Sequence, residues 1–247
     1  MDIKQYLDST YLKTAEQAGL SQPENLEVAR TVIAEAITQN FKLVMIRPDR
    51  VAFAKEMIVA AQSEVLVGTV IDFPEGTESL AKKLEEAQQA IADGADDLDF
   101  VVNYTAFKAG EEALVKDQVL QCSQLGLKNG KTVKWIIEIA ALTNKEMIAL
   151  SSLIREVIIQ NFEEQYWQKV FVKSSTGFYK TQDGKPNGAT VEGIKLMLEA
   201  SAPLPVKAAG GVRNYDEAVQ MIQLGVKRIG TSSAKAIADG KIAEGGY

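Results

Sequence analysis

No histidine occurs in this chain of 247 residues. That excludes zinc sites built on imidazole, serine–histidine nucleophiles and histidine general bases. Acid–base work must come from Asp, Glu, Lys, Tyr or water. Cysteine is nearly absent too: Cys122 stands alone, so no internal disulfide can form. One Cys without His also argues against a catalytic transition metal. No apolar run approaches a membrane span of roughly 20 residues, and Met1-Asp2-Ile3-Lys4-Gln5 has no signal-peptide core. The cytoplasm is the expected compartment. A basic excess is missing as well, the net charge being −6. That argues against a nucleic-acid binder, which usually carries a basic face.

What is present alternates between two periods. Short apolar runs suited to buried strands occur at 8–12, 42–46, 65–71, 97–102, 133–138, 170–173, 205–209 and 227–230. Amphipathic segments lie between them. Capping boxes at Ser21-Gln22-Pro23-Glu24 and Thr143-Asn144-Lys145-Glu146 open two of these segments. Asp2 to Leu7 reads as a short leading helix. Strict β–α alternation without a composition break points to a parallel sheet. Eight units in 247 residues suggest a single-domain (β/α)8 TIM barrel, with an open doubly wound sheet as the structural alternative. The glycine-rich end, from about 240 to Tyr247, is expected to be a flexible tail.

Two of the strand runs end on lysine. Val170-Phe171-Val172-Lys173 is followed by Ser174-Ser175-Thr176-Gly177, and Pro205-Val206-Lys207 by Ala208-Ala209-Gly210-Gly211. In a barrel, catalytic groups lie at the C-terminal strand ends. A lysine amine attacks a carbonyl only when unprotonated, and a neighbouring ammonium or an apolar wall lowers its pKa. Lys207 could supply that charge to Lys173, which suggests Schiff-base formation. Asp99, on the same strand face as Asp97, could relay protons or hold a water. The plainer alternative is that each lysine is a solvated strand end and that Asp99 caps a loop. Gly210-Gly211 and Gly230-Thr231-Ser232-Ser233 fit the phosphate site common in barrels, with Gly177 giving another close backbone approach and Arg213 a possible charge. Ordinary βα turns are the competing explanation.

These segments resemble deoxyribose-phosphate aldolases. The resemblance rests on Phe171 to Phe178, Val206 to Arg213 and Arg228 to Ser233. Thr69 to Gly76, Gly94 to Asp99, Ile136 to Glu138 and Asn187 to Thr190 support it. It covers the chain from about Asp8 to Ser233. It implies a class I aldolase without metal or cofactor. The expected reaction is reversible cleavage of 2-deoxy-D-ribose 5-phosphate to D-glyceraldehyde 3-phosphate and acetaldehyde. On this resemblance Lys173 forms the Schiff base, Lys207 lowers its pKa and relays protons, and Asp99 transfers protons through water. Tyr247 would be a tail proton shuttle. The substrate and its phosphate would be held by Asp8, Thr176, Gly177, Gly210, Gly211, Gly230, Ser232 and Ser233. A homodimer or homotetramer is implied. Some positions depart from the family's pattern. Ser9 stands for a usual His, Met45 for Cys or Val, Ile139 for Thr and Ala234 for Gly. Asp72 places a charge where a neutral residue is usual, expected near the pocket mouth. Two other functions remain open: a Schiff-base aldolase with a different phosphorylated aldehyde acceptor, and a non-catalytic phosphosugar-binding barrel.

Overall fold

The apolar runs become strands because both of their faces find cover, as in an all-parallel sheet flanked by helices. The computed structural model describes residues 2–182, 184 and 186–240. Among them eight strands pair in sequence order and close into a parallel barrel. A single 3-10 turn at Ile3–Tyr6, rather than an α-helix, leads into β1 (Leu7–Tyr11). Then come α1 (Ala15–Ala18), α2 (Gln22–Gln39), β2 (Leu43–Ile46), α3 (Val51–Ala60), β3 (Leu66–Ile71), α4 (Leu80–Ala92) and β4 (Asp97–Val101). The second half holds α5 (Tyr104–Lys108), α6 (Glu112–Lys128), β5 (Thr132–Ile136), α7 (Asn144–Asn161), α8 (Glu164–Trp167) and β6 (Val170–Lys173). It ends with α9 (Val191–Ser201), β7 (Val206–Ala209), α10 (Tyr215–Leu224), β8 (Arg228–Thr231) and α11 (Ala234–Ala238). Closure decides against the open sheet: Leu7, Asp8 and Ser9 of β1 pair with Ile229, Gly230 and Thr231 of β8.

Both capping boxes form, Ser21 with Glu24 and Thr143 with Glu146. Each satisfies orphan N–H groups at a helix start. Helix α4 starts at Leu80, where Ser79 accepts from Lys82 N. The preceding loop is tied down by Lys83. Its buried Nζ donates to Asp72 Oδ2 at 2.5 Å, to Val101 O at 2.7 Å and to Gly76 O at 3.2 Å. Asp72 is therefore a buried partner of Lys83 and does not line the cleft beside Lys173. The charge expected at the pocket mouth is spent inside the fold. The last helix is only five residues long and starts after Ser233, because β8 runs through Thr231.

The main apolar core is the layer between strands and helices. Leu98, Phe100 and Trp135 point into it. Trp135 stacks on Phe100 with centroids 5.0 Å apart and donates its Nε1–H to Ser123 Oγ of α6 at 3.0 Å. A smaller cluster of Leu12, Leu43, Met45 and Val70 packs separately. Inside the barrel, branched apolar layers are the usual filling. Here Asp8, Asp97, Asp99, Lys134, Lys207 and Arg228 are buried on strands β1, β4, β5, β7 and β8. No helix among the described residues is long and apolar enough to cross a membrane.

Candidate active site

Strand register places the two lysines side by side, since Lys173 of β6 pairs with Lys207 of β7. Asp99 reaches both from β4. Lys173 Nζ donates to Asp99 Oδ2 at 2.8 Å, and Lys207 Nζ donates to the same oxygen at 3.0 Å. Lys134 Nζ of β5 donates to Asp99 Oδ1 at 2.7 Å. The three site residues expected from the sequence, Lys173, Lys207 and Asp99, thus meet around one carboxylate. Lys134 had no expected role and stands with them. The available signal was a charged residue in the middle of the apolar run Val133–Ile137, on the inward parity of a strand.

Further ion pairs extend below. Lys134 Nζ lies 2.7 Å from Asp97 Oδ2, and Arg228 Nη2 lies 3.2 Å from the same oxygen. Arg228 Nη2 and Lys207 Nζ each lie 2.6 Å from Asp8, on Oδ1 and Oδ2 respectively. Asp8 was expected among the substrate- and phosphate-holding residues. It is fully buried and paired with these two cations, and it does not line the cleft. A buried carboxylate facing inward serves cations and would repel a phosphate.

Electrostatics follow from this crowding. Burial pushes the Lys173 amine down, from the ordinary 10.5 to about 8. Lys207 and Lys134 push the same way, and Asp99 offsets part of the effect. For Asp99, burial would raise the pKa, but Lys134, Lys173 and Lys207 outweigh it and hold the carboxyl well below the usual range. Asp8 is lowered against its own burial by Arg228, Lys207 and Lys134. Lys134, despite burial, is raised by Asp97 and Asp99. The Lys173 proton is thus held less tightly than an ordinary lysine's, whereas Lys134 and Arg228 are pushed the other way by their carboxylates.

Above Lys173 opens a cleft at the C-terminal ends of β6, β7 and β8. Lys173, Thr176, Gly177, Gly210, Gly211, Gly230 and Ser232 all line it, with Thr10, Asn187 and Arg213. Ser233 does not; its N–H donates to Thr231 Oγ1 at 2.9 Å. Gly210 and Gly211 have φ of 76° and 79°, a region that favours glycine. The backbone there is crowded: a Cβ on Gly188 would sit 2.4 Å from Gly210 C. Ser174 Oγ ties two walls together, donating to Ala209 O at 3.0 Å and accepting from Ala209 N at 2.9 Å.

Glu138, just past β5, has no role expected from the sequence. It is buried, with φ of 54°, and it accepts from Thr176 N at 3.1 Å and from Thr176 Oγ1. Burial pushes its carboxyl up, and the Thr176 hydrogen bonds and Lys173 partly offset that. The expected tail residue Tyr247 lies outside the described residues. Among the described residues no group of three or more His, Cys, Asp and Glu side chains is arranged to hold a metal ion.

The arrangement defines a class: a (β/α)8 barrel whose C-terminal cleft has an amine of lowered pKa at its floor. Within that class the chain belongs to the DeoC/LacD family of aldolases, whose model matches residues 5–238. It is 38% identical to the deoxyribose-phosphate aldolase of Thermococcus gammatolerans over 97% of this chain and 96% of that one. With the deoxyribose-phosphate aldolase of Streptococcus suis the identity is 36%, over the whole of both chains. Among solved structures, an aldolase called QR15 superposes with a TM-score of 0.79 at 29% identity, covering 97% of this chain and 95% of the other. The tetrameric deoxyribose phosphate aldolase of Aeropyrum pernix superposes at 0.75 with 26% identity, over 96% and 89%.

Proposed function

We propose that this protein is a class I aldolase that reversibly cleaves 2-deoxy-D-ribose 5-phosphate, with Lys173 as the Schiff-base lysine. The observation that carries the reading is the Lys173 amine, with a pKa of about 8, on the floor of the cleft. At pH 7 about one such amine in ten is unprotonated, against about one in three thousand for an ordinary lysine. The free amine attacks C1 of the open-chain sugar phosphate. Loss of water gives an iminium. The C2–C3 bond then breaks, with the C3 hydroxyl proton leaving to a base and the electron pair passing into the enamine. D-Glyceraldehyde 3-phosphate departs. The enamine carbon takes up a proton, and water releases acetaldehyde and the free amine.

In this reading Lys207 keeps Lys173 partly neutral and relays protons. Asp99 is ionised at rest, and it orients the amine and exchanges protons through water. The glycine-rich ends of β7 and β8, Gly210-Gly211 and Gly230 to Ser232, offer backbone N–H groups to the phosphate. Thr176 and Gly177 complete the wall. The two curated relatives named above are deoxyribose-phosphate aldolases, which favours this substrate over another phosphorylated aldehyde acceptor or mere phosphosugar binding. The named tetramer from Aeropyrum pernix supports assembly into a dimer or tetramer, which light scattering after gel filtration tests. The single buried Cys122 suits a cytoplasmic location.

Borohydride trapping tests the function. Incubation with 2-deoxy-D-ribose 5-phosphate, reduction and peptide mapping should yield one adduct, on Lys173. An adduct on Lys207 would reverse the two roles. Binding without any adduct would leave a phosphosugar-binding barrel.

A further inference from the structure

The buried ion pairs beneath the cleft close on themselves. From Arg228 the path runs to Asp97 at 3.2 Å, to Lys134 at 2.7 Å and to Asp99 at 2.7 Å. It continues to Lys207 at 3.0 Å, to Asp8 at 2.6 Å and back to Arg228 at 2.6 Å. Three carboxylates alternate with three cations, so the ring is neutral. Lys173 hangs from it at Asp99 as a fourth cation, 2.8 Å from Oδ2. In a dry interior the surplus charge is the one most readily given up, because neutralising any ring member would strand its two partners. We propose that this ring of six charges sets the proton affinity of Lys173, with Asp97, Lys134 and Arg228 acting as positioning residues that never touch substrate. The inference deepens the aldolase reading and rests on it only in taking Lys173 as the reactive amine.

The groups facing Lys173 come from several elements. Asp99 (β4), Lys134 (β5) and Lys207 (β7) act on it most strongly. Asp8 (β1), Asp97 (β4) and Arg228 (β8) hold those three in place. Glu138, beyond β5, also faces Lys173 but is bound by Thr176 and makes no ion pair with it. The charge left around Lys173 therefore depends on which ring member is removed. Loss of a ring cation leaves a net anion beside Lys173 and favours the ammonium. Loss of a ring carboxylate leaves a net cation and favours the free amine.

The test is competitive acetylation of Lys173 by acetic anhydride across pH, read by mass spectrometry, in folded protein checked by circular dichroism. The labelling midpoint reports when the amine becomes free. Lys134→Gln keeps donors to Asp97 and Asp99 and should move the midpoint up by roughly one pH unit, about ten-fold less free amine at pH 7. Asp97→Asn keeps the shape and should move it down by about half a unit or more. The double variant restores neutrality and should return it to within about 0.3 of the parent. Should a single variant fail to fold, Arg228→Gln removes a charge at the least buried member of the ring, and the same upward shift is expected. Midpoints that stay put, or that move the same way in both singles, overturn the proposal. Labelling needs no substrate. A failed ring therefore leaves substrate trapping intact, and a failed trap leaves these midpoints readable.

Discussion

Lys173 is held where its ammonium is disfavoured, and the fold bears that cost. The shift from 10.5 to about 8 amounts to roughly 3 kcal/mol. Its sign is fixed by linkage. The folded pKa lies below the unfolded one, so the unfolded chain binds more protons between these values and stability rises with pH across that window. Lys173→Met should therefore abolish activity and raise the thermal midpoint at pH 7. The gain should shrink above pH 8 and vanish above about 10.5, which calorimetry at several pH values can check. Lys207→Leu acts in the other direction on the same amine. With the neighbouring charge gone, Lys173 stays protonated longer. Cleavage at pH 7 should fall by roughly ten-fold or more and recover in part towards pH 9, as kcat/KM against pH would reveal. Full activity at pH 7 would remove Lys207 from the tuning role.

At the scale of elements, the cleft is made by the segments after β6, β7 and β8, and their close approach depends on glycine. Gly188 lies against Gly210, and a methyl group there would meet backbone atoms at 2.4 and 2.6 Å. Backbone cannot yield as a flexible side chain does. Gly188→Ala should push the Gly210-Gly211 turn outward, costing ten-fold or more in kcat/KM on the order expected for misplaced substrate contacts, with the circular dichroism spectrum unchanged. Glycine at these turns could be read directly from the sequence, because turn chemistry is local. The clamp of Glu138 on Thr176 could not. It depends on a left-handed φ at a non-glycine residue and on a contact 38 residues away. Asp72 misled for the same reason: its position beside Phe73-Pro74 suggested the pocket mouth, whereas Lys83, one helix later, draws it inside.

For the whole molecule, the barrel interior carries an acid sensitivity. Asp8 and Asp99 have lowered pKa values in the fold. Their contribution to stability is complete above the ordinary carboxylate value of 3.8 and is lost as the pH falls through the lower folded values. Protonating either one strands ring cations in a dry interior. The thermal midpoint should change little from these groups between pH 7 and about 5, then drop steeply below about 3.8. Because the pairs are buried, 0.5 M salt should leave that midpoint nearly unchanged. A strong salt dependence would mean that surface pairs, and not the ring, dominate.

Eight strand runs, the helices between them and the lysines at two strand ends follow from residue order alone, because hydrophobic period, capping boxes and turn residues act over a few positions. So does the exclusion of histidine chemistry. Barrel closure and the company each charge keeps come from long-range register. Asp8 meets Arg228 across 220 residues, and Asp99 meets Lys207 across 108. Inward parity on a strand is visible locally, but which inward charge faces which is decided only when β1 pairs with β8 and the ring of six can close.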